Sequence, residues 1–303
     1  MKCTENSWQP TTKSTRAEFD SAASLRQRDM LKTQASLTEL KCNPDWLVPD
    51  WPAPSQVHAV CTTRAGGISV SPYDSLNLGY HVGDNPLHVA ANRALLEHAT
   101  GTRAVFLTQV HGTQVEYLTA ETQNGTVADA AQTTEIGVAC TVMVADCLPV
   151  LFTNTQGTWV AAAHAGWRGL AGEPGEAGQG VLEVILERFR AIAPVQTAQG
   201  AIDVIAWLGP CIGPTAFEVG DEVRDRFVAN DPEALAFFTP TLQGKWLAHL
   251  AGLARQRLRK LGVMGIYGND GSETWCTVKQ PSRFFSYRRD GVSGRLAASI
   301  WRR

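Results

Sequence analysis

The chain has 303 residues, a formal net charge of −2 and a hydrophobic share of 44%, enough for one large globular domain or two small ones. No Lys/Arg run or basic stripe gives nucleic acid an electrostatic footing, no apolar run reaches the roughly eighteen residues of a membrane span, and the first residues, MKCTENSWQPTTKSTRAEFD, have no secretory apolar core. The seven cysteines are an odd number without paired C-x-x-C spacing, so free thiols in a reducing, cytoplasmic setting are expected.

In chain order, residues 1–42 are rich in Ser, Thr, Gln, Lys and Arg and are expected to form a disordered extension. A docked helix over 16–40, carried by Leu25, Met30, Leu31 and Leu37, is the alternative. From 43 to 303 neither a repeat nor an interior linker interrupts the pattern, which reads as one domain. Apolar periodicity predicts strands at 58–63, 104–108, 115–119, 138–145, 150–153, 159–164, 204–208, 263–267 and 284–286. Asn154-Thr155-Gln156-Gly157 joins two of them as a hairpin. Helices are predicted at 86–99, 179–193, 221–229, 245–261 and 294–301. The second of these repeats Val181, Leu182, Ile185, Leu186 and Phe189 at a period near 3.6. Strands and helices interleave without strict βαβ spacing. The expected fold is α+β, of α/β-like type: a mixed β-sheet sandwich with helices on its outer faces.

The chemistry concentrates in three short segments, TQVHGTQV, VADCLPVLF and AAAHAGWRG. His111, Cys147 and His164 each end an apolar run, and two imidazoles with one thiolate suit zinc or copper. Three protein ligands leave a fourth position open for chemistry. Asp146 is a general base or an orienter of the ligands, or an Asp that caps a turn. Arg168 either clamps an anion or closes a corner ion pair. Arg64 and Asn77 lie in Gly-rich loops and serve either a substrate or the turn itself, with the turn favoured for Asn77. Tyr287 heads the polar run Tyr287-Arg288-Arg289-Asp290 and is a further substrate contact, while Phe284 and Phe285 read as core. Gly66-Gly67 and Gly209-Pro210 are turns and not phosphate loops, and no Gly-x-Ser-x-Gly elbow occurs.

The strings QVHG, ADCLPVLF, AHAGWRG, GPCIGPTAFEVGDEV and FFSYRRDGVSGRLAASIW, preceded by TTRAGGISVSPYDSLNLGYHVGDNP with Asn92 and Arg93 downstream, resemble the laccase-domain family. The resemblance runs from about Trp46 to Trp301. That family has been called multicopper polyphenol oxidase and includes peptidoglycan-editing factors and purine-nucleoside enzymes. The resemblance implies a fold similar to that of deamidating-toxin-like cysteine hydrolases. It implies a zinc-dependent purine nucleoside phosphorylase acting on adenosine, inosine, guanosine or methylthioadenosine, with adenosine deaminase activity. Its small-molecule partners would be a purine nucleoside and phosphate, with no nucleic acid or membrane. His249 stands where relatives often carry Asp, and segment 173–178 is longer than usual.

Three other readings compete. A copper polyphenol oxidase finds His₂Cys near Met143, but a four-copper enzyme needs about ten His ligands and the chain has seven. Copper(II) could still replace zinc in vitro. A peptidoglycan-precursor amidase would use the same metal site. A metal-free thiol hydrolase would use Cys147 as nucleophile and His164 as base.

Overall fold

The computed structural model describes residues 43–172, 178–192, 203–263 and 265–303. The extension 1–42 and most of segment 173–178 lie outside the described residues.

Two mixed sheets form the centre. The first, of four strands, runs in the order β1 (Val57–Cys61), β13 (Leu296–Arg302), β5 (Val138–Val144), β2 (Arg103–Phe106). The second, of six strands, runs β12 (Gly265–Gly268), β8 (Val204–Leu208), β6 (Leu148–Asn154), β7 (Val160–Ala165), β4 (Ala130–Thr133), β3 (Val115–Tyr117). A small third sheet joins β9 (Glu218–Val219), β10 (Phe238–Pro240) and β11 (Trp246–Ala248). Parallel pairs β2–β5, β3–β4 and β8–β12 coexist with antiparallel neighbours.

Residue alternation explains the layering. Val57, Ala59, Val105, Cys140, Val142, Ala298 and Ile300 of the four-stranded sheet pack against Leu151, Val160, Ala162 and Trp207 of the six-stranded one. The opposite faces are closed by helices. On the six-stranded sheet, Phe152, Ala161 and Ala163 share a core with α3 (Val181–Ile192), α4 (Asp221–Asn230) and α5 (Leu250–Lys260). Each large apolar side chain that α3 buries contributes about 1.5–3 kcal/mol, and Phe189 adds a ring contact to Trp159 at 4.6 Å. On the four-stranded sheet, Val60, Phe106 and Ala139 meet Leu96 of α1 (Pro86–Thr100). The expected mixed sandwich with outer helices is the observed architecture. Because both faces of β5, β6 and β7 are covered, every residue in them is buried, which is why they read as unbroken apolar runs.

The hairpin between β6 and β7 is present, and the amide of Gly157 donates to the carbonyl of Asn154 at 2.9 Å. Helix α1 begins as expected, with Asn85 accepting from the amide of Leu87 and Pro86 in the first turn. Four expectations are corrected. Segment 294–301 is strand β13 and not a helix, because Ala297, Ala298 and Ile300 alternate between two covered faces. Segment 284–286 forms no strand; Phe284 and Phe285 are buried just before the four-residue helix α6 (Tyr287–Asp290). The helix expected over 245–261 begins only at Leu250, since Trp246–Ala248 pairs as β11, and His249 sits one residue before it. Strand β4 is missed because Gln132 and Thr133 interrupt its apolar pattern.

The loop between β1 and α1 is fastened by one side chain. Buried Asn92 accepts from the amide of Ile68 at 2.9 Å and donates to Ser69 Oγ, the carbonyl of Ser75 and the carbonyl of Asn77 at 2.9, 3.2 and 2.9 Å. Replacing it by alanine strands several buried groups, each worth roughly 1–3 kcal/mol. We predict that Asn92→Ala lowers unfolding free energy by about 2–4 kcal/mol, read as a lower urea midpoint at unchanged m-value. A shift under about 0.5 kcal/mol, the size typical of a surface change, contradicts the assigned network.

Candidate metal centre

The chain crosses from the four-stranded to the six-stranded sheet through Ala145-Asp146-Cys147, between the end of β5 and the start of β6. His164 lies near the end of the adjacent β7, paired with Pro149. His111 is in the loop before β3. These elements place one ligand atom each from His111, Cys147 and His164 within 4.8 Å of one another. His111 Nε2 stands 3.6 Å from Cys147 Sγ, and the two imidazole rings meet edge-on at 4.8 Å. His111 is exposed, Cys147 half-buried and His164 buried.

The site is organised by a residue that the sequence reading did not single out. Asp129, fully buried at the entrance to β4, accepts hydrogen bonds from the amides of Val110, His111 and Gly112 at 3.1, 2.9 and 2.7 Å. Its Oδ1 also lies 2.8 Å from His164 Nδ1, and its carbonyl accepts from the His164 amide at 2.7 Å. Burial opposes its ionisation. The hydrogen bond and charge of His164, with the amides of Gly112 and Val110, outweigh that and hold the carboxyl below its ordinary range. One signal was legible: the triplet Val-Ala-Asp occurs at 127–129 as well as at 144–146.

Backbone geometry matches this concentration of polar groups. His111 and Asp146 are the two described non-glycine residues with positive φ, 62° and 96°, a conformation that other contacts must stabilise. Asp129 does so for His111. Asp146 is tied by Thr277 Oγ1 to its Oδ1 at 2.6 Å, by the Arg288 amide to its Oδ2 at 2.7 Å, and by the Ile212 amide to its carbonyl at 2.9 Å. Gly166 is required by space: a Cβ there would stand 2.8 Å from His111 Cδ2 and 3.0 Å from Cys147 Sγ.

The donor set fits a metal. With His164 Nδ1 committed to Asp129, its Nε2 is the nitrogen left for a ligand, the usual outer-shell arrangement of a metal-binding imidazole. Tetrahedral zinc ligands stand about 3.3–3.6 Å apart, by the bond lengths to N and S. The His111–Cys147 separation of 3.6 Å already matches, and all three ligand atoms lie within 4.8 Å of one another. Burial opposes ionisation of Cys147, but the charge of His164 and hydrogen bonds from both imidazoles bring its thiol below the usual value. His164 is shifted the other way: burial lowers it, and the charge of Cys147 and the bond to Asp129 raise it.

The three residues open onto a cavity of about 500 Å³. Met143, Trp167, Ile212, Phe217 and Leu250 give it apolar walls, and Gln109, Tyr287, Arg288 and Arg295 give it polar ones. Asp146 and Tyr287, both singled out from sequence, line it. Arg168, Arg64 and Asn77 do not. Arg168 is exposed on α2 (Trp167–Ala171), its guanidinium 4.7 Å from the Trp167 ring. Arg64 borders a separate hollow and binds the Asp74 carbonyl, the Asp74 carboxylate and the Pro281 carbonyl. Asn77 is fully buried and braces the loop through Gly79, Asp84 and the Arg295 amide. Besides Asp129, the sequence reading missed Gln109, which is locked to the Met143 backbone by two hydrogen bonds of 2.7 and 2.8 Å, and Arg295.

Residues 58–303 match the family model described as multi-copper polyphenol oxidoreductase laccase, and the chain belongs to that family. It is similar to a protein of Escherichia coli K12 named purine nucleoside phosphorylase YfiH, 49% identical over 84% of this chain and 98% of the relative. A Mycobacterium bovis protein named purine nucleoside phosphorylase is 38% identical over 81% of this chain and 92% of its own. Among solved structures, Neisseria meningitidis protein NMB0706 superimposes with a TM-score of 0.75 at 46% identity, covering 85% of this chain and 99% of that one. YlmD from Geobacillus stearothermophilus gives 0.72 at 31%, covering 82% and 93%.

Two outcomes test the site. In metal-stripped protein, iodoacetamide should alkylate Cys147 with a midpoint below the ordinary thiol value of about 8.5, while Cys61, whose thiol burial pushes up to about 12, and Cys140 and Cys211, pushed up in the same way, stay unmodified. Peptide mass mapping separates them, and a midpoint at or above the ordinary value contradicts the coupling. Asp129→Asn should weaken metal affinity about 10–100-fold, the usual cost of losing an outer-shell partner, measured by chelator competition. Unchanged affinity would show that the imidazoles hold their positions without it.

Proposed function

We propose that the protein is a zinc-dependent purine nucleoside phosphorylase that also deaminates adenosine. The observation that carries this reading is the convergence of His111, Cys147 and His164 on a cavity whose lining combines apolar side chains with Arg288 and Arg295. The names of the relatives agree with it.

The residues divide the work. Phe217, Trp167, Ile212 and Leu250 offer flat and aliphatic surface to a purine, which gains from dispersion and from leaving water. Tyr287 is 58% exposed at the pocket mouth, so its hydroxyl is free to meet a sugar hydroxyl. Asp129 fixes the ring orientation of His164, and Asp146, with both carboxylate oxygens engaged, fixes the loop that presents Cys147. In this reading Asp146 orients and is not the general base. Zinc, when bound, supplies a Lewis-acid charge beside the substrate and acidifies water. Adenosine, inosine, guanosine and methylthioadenosine share the purine and ribose that such walls accept. Deamination would be convergent, because the H-x-E and P-C-x-x-C strings of the zinc deaminases are absent from the sequence.

A second reading has its own support. Cys147, His164 and Asp129 are connected as a nucleophile, a base and an orienting carboxylate are in thiol hydrolases, the His164–Asp129 bond being 2.8 Å. Chelation separates the two. We predict one zinc per chain by elemental analysis, loss of nucleoside cleavage on thorough demetallation, and recovery with zinc. Cys147→Ala should abolish cleavage and leave the thermal midpoint of the metal-free protein unchanged. Full activity in the demetallated wild type would replace the zinc reading with the thiolate one.

A further inference from the structure

Phosphorolysis needs a place for phosphate, and Arg168 does not line the cavity. The pocket wall contains another cation, Arg295, which no carboxylate pairs with among the described residues. Arg295 lies flat against Gly79, where a Cβ would come within 2.7 Å of its Cγ and 3.4 Å of His81 Cε1. Its amide is held by Asn77 Oδ1 at 2.9 Å, and Nη1 donates to the carbonyls of Ser293 and Gly294 at 2.9 and 3.1 Å. Among the described residues, Nη2 and Nε have no acceptor and no carboxylate pairs with the guanidinium. Arg64, Arg224, Arg257 and Arg289 each have a carboxylate partner. Arg93, near His81, is covered by the rings of Phe106 and Tyr80 at 3.7 and 4.4 Å and donates to Leu78 and Met143.

The neighbouring anions are already spoken for. Both oxygens of Asp146 are taken by Thr277 and the Arg288 amide, and Cys147 belongs to the metal set. His81 lines the same stretch of wall. Burial, followed by the charges of Arg295 and Arg93, lowers its affinity for a proton, and burial likewise lowers that of Arg295. A half-buried guanidinium with no carboxylate in direct contact is costly to keep without a ligand, and its planar geometry suits two oxygens of a tetrahedral anion. Arg288, by contrast, is exposed and gives its Nη1 to the Glu218 carbonyl.

We propose that Arg295, with His81 beside it, binds a tetrahedral dianion, and that this dianion is the inorganic phosphate consumed in phosphorolysis. The assignment of the anion rests on the phosphorylase reading above. In the step it serves, a phosphate oxygen bonds to C1′ of the ribose while the C1′–N9 electron pair leaves on the purine. The proton of hydrogen phosphate ends on the purine, so ribose 1-phosphate and free base account for every atom. Arg295 binds the dianion in place and neutralises it against the thiolate-bearing side of the pocket.

The test titrates inorganic phosphate calorimetrically into zinc-loaded wild type, Arg295→Gln, Arg295→Lys and Arg168→Gln, and follows phosphate saturation of adenosine cleavage in each. Arg295→Gln should weaken phosphate binding and raise the KM for phosphate about tenfold or more, the order of one charge-assisted contact, with the KM for adenosine within about twofold. Arg295→Lys should recover part of the binding and carries the test if the glutamine variant does not fold. Equal phosphate affinity in wild type and Arg295→Gln, no phosphate binding to wild type, or a loss confined to Arg168→Gln would overturn the assignment. Phosphate binding that depends on Arg295 without phosphate-dependent cleavage in any form keeps the anion site and removes the phosphorylase reading instead. Adenosine 5′-monophosphate separates the sources of the anion: inhibition that depends on Arg295 while phosphate saturation does not would move the site to a nucleotide phosphate and overturn the co-substrate role.

Discussion

The carboxylate of Asp129 is the constraint on which the site depends. It has no exposure to water, and burying an ionised carboxylate is affordable only when its lone pairs are answered. Three successive amides, at Val110, His111 and Gly112, and one imidazole nitrogen answer them. The same four bonds stabilise the positive φ of His111 and select the free nitrogen of His164. One buried charge therefore aligns two ligands from segments more than fifty residues apart in sequence. Truncating it would leave the amides unpaired and the ligands free to rotate, so the cost would appear in stability and in metal affinity together.

The position of the cavity follows from how the sheets are joined. Strand β5 belongs to one sheet and β6 to the other, and the two-residue passage before Cys147 must turn sharply between layers about 10 Å apart. Asp146 takes the strained conformation that this turn needs, and its carboxylate then anchors Thr277 and the start of α6. The apolar lining residues Met143, Ile212 and Leu250 are buried members of the two cores that border the cavity. An opening at a sheet-to-sheet crossing thus combines apolar walls with backbone polar groups that the ladders no longer pair.

The sequence showed the ligands plainly because each breaks an apolar run that has no other reason to contain a His, an Asp or a Gly. It also showed the double-covered strands, whose runs of Val, Ala and Leu admit no solvent-facing residue. It misled where composition and environment disagree. Leu296–Trp301 is alanine-rich and reads as helix, yet Ala298 and Ile300 face one core and Ala297 and Trp301 the other. Arg64, which sits among glycines and was open to a substrate role, spends its hydrogen bonds on the loop, and Asn77 does the same, as the turn reading favoured. Asp129 and Arg295 stayed hidden for another reason: their partners, His111 and Asn77, are distant in sequence, and only tertiary structure brings them together.

The family description speaks of several coppers, and the ligand geometry limits what that can mean for this chain. Among the described residues, one group of three or more His, Cys, Asp or Glu could hold a metal, and it offers three atoms around one point. Three of the other histidines make contacts elsewhere: His58 stacks on Trp301 at 5.7 Å, His249 meets Phe237 at 6.0 Å, and His88 stands 4.0 Å from Asp84. A blue-copper site commonly takes Met as its weak axial ligand, whereas the Met143 thioether accepts from Arg93 at 3.7 Å. Among the described residues no second group of three or more His, Cys, Asp or Glu assembles for a further copper. Three ligand atoms around one point, beside a cavity lined by apolar side chains and by Arg288 and Arg295, could hold one ion with a position left open.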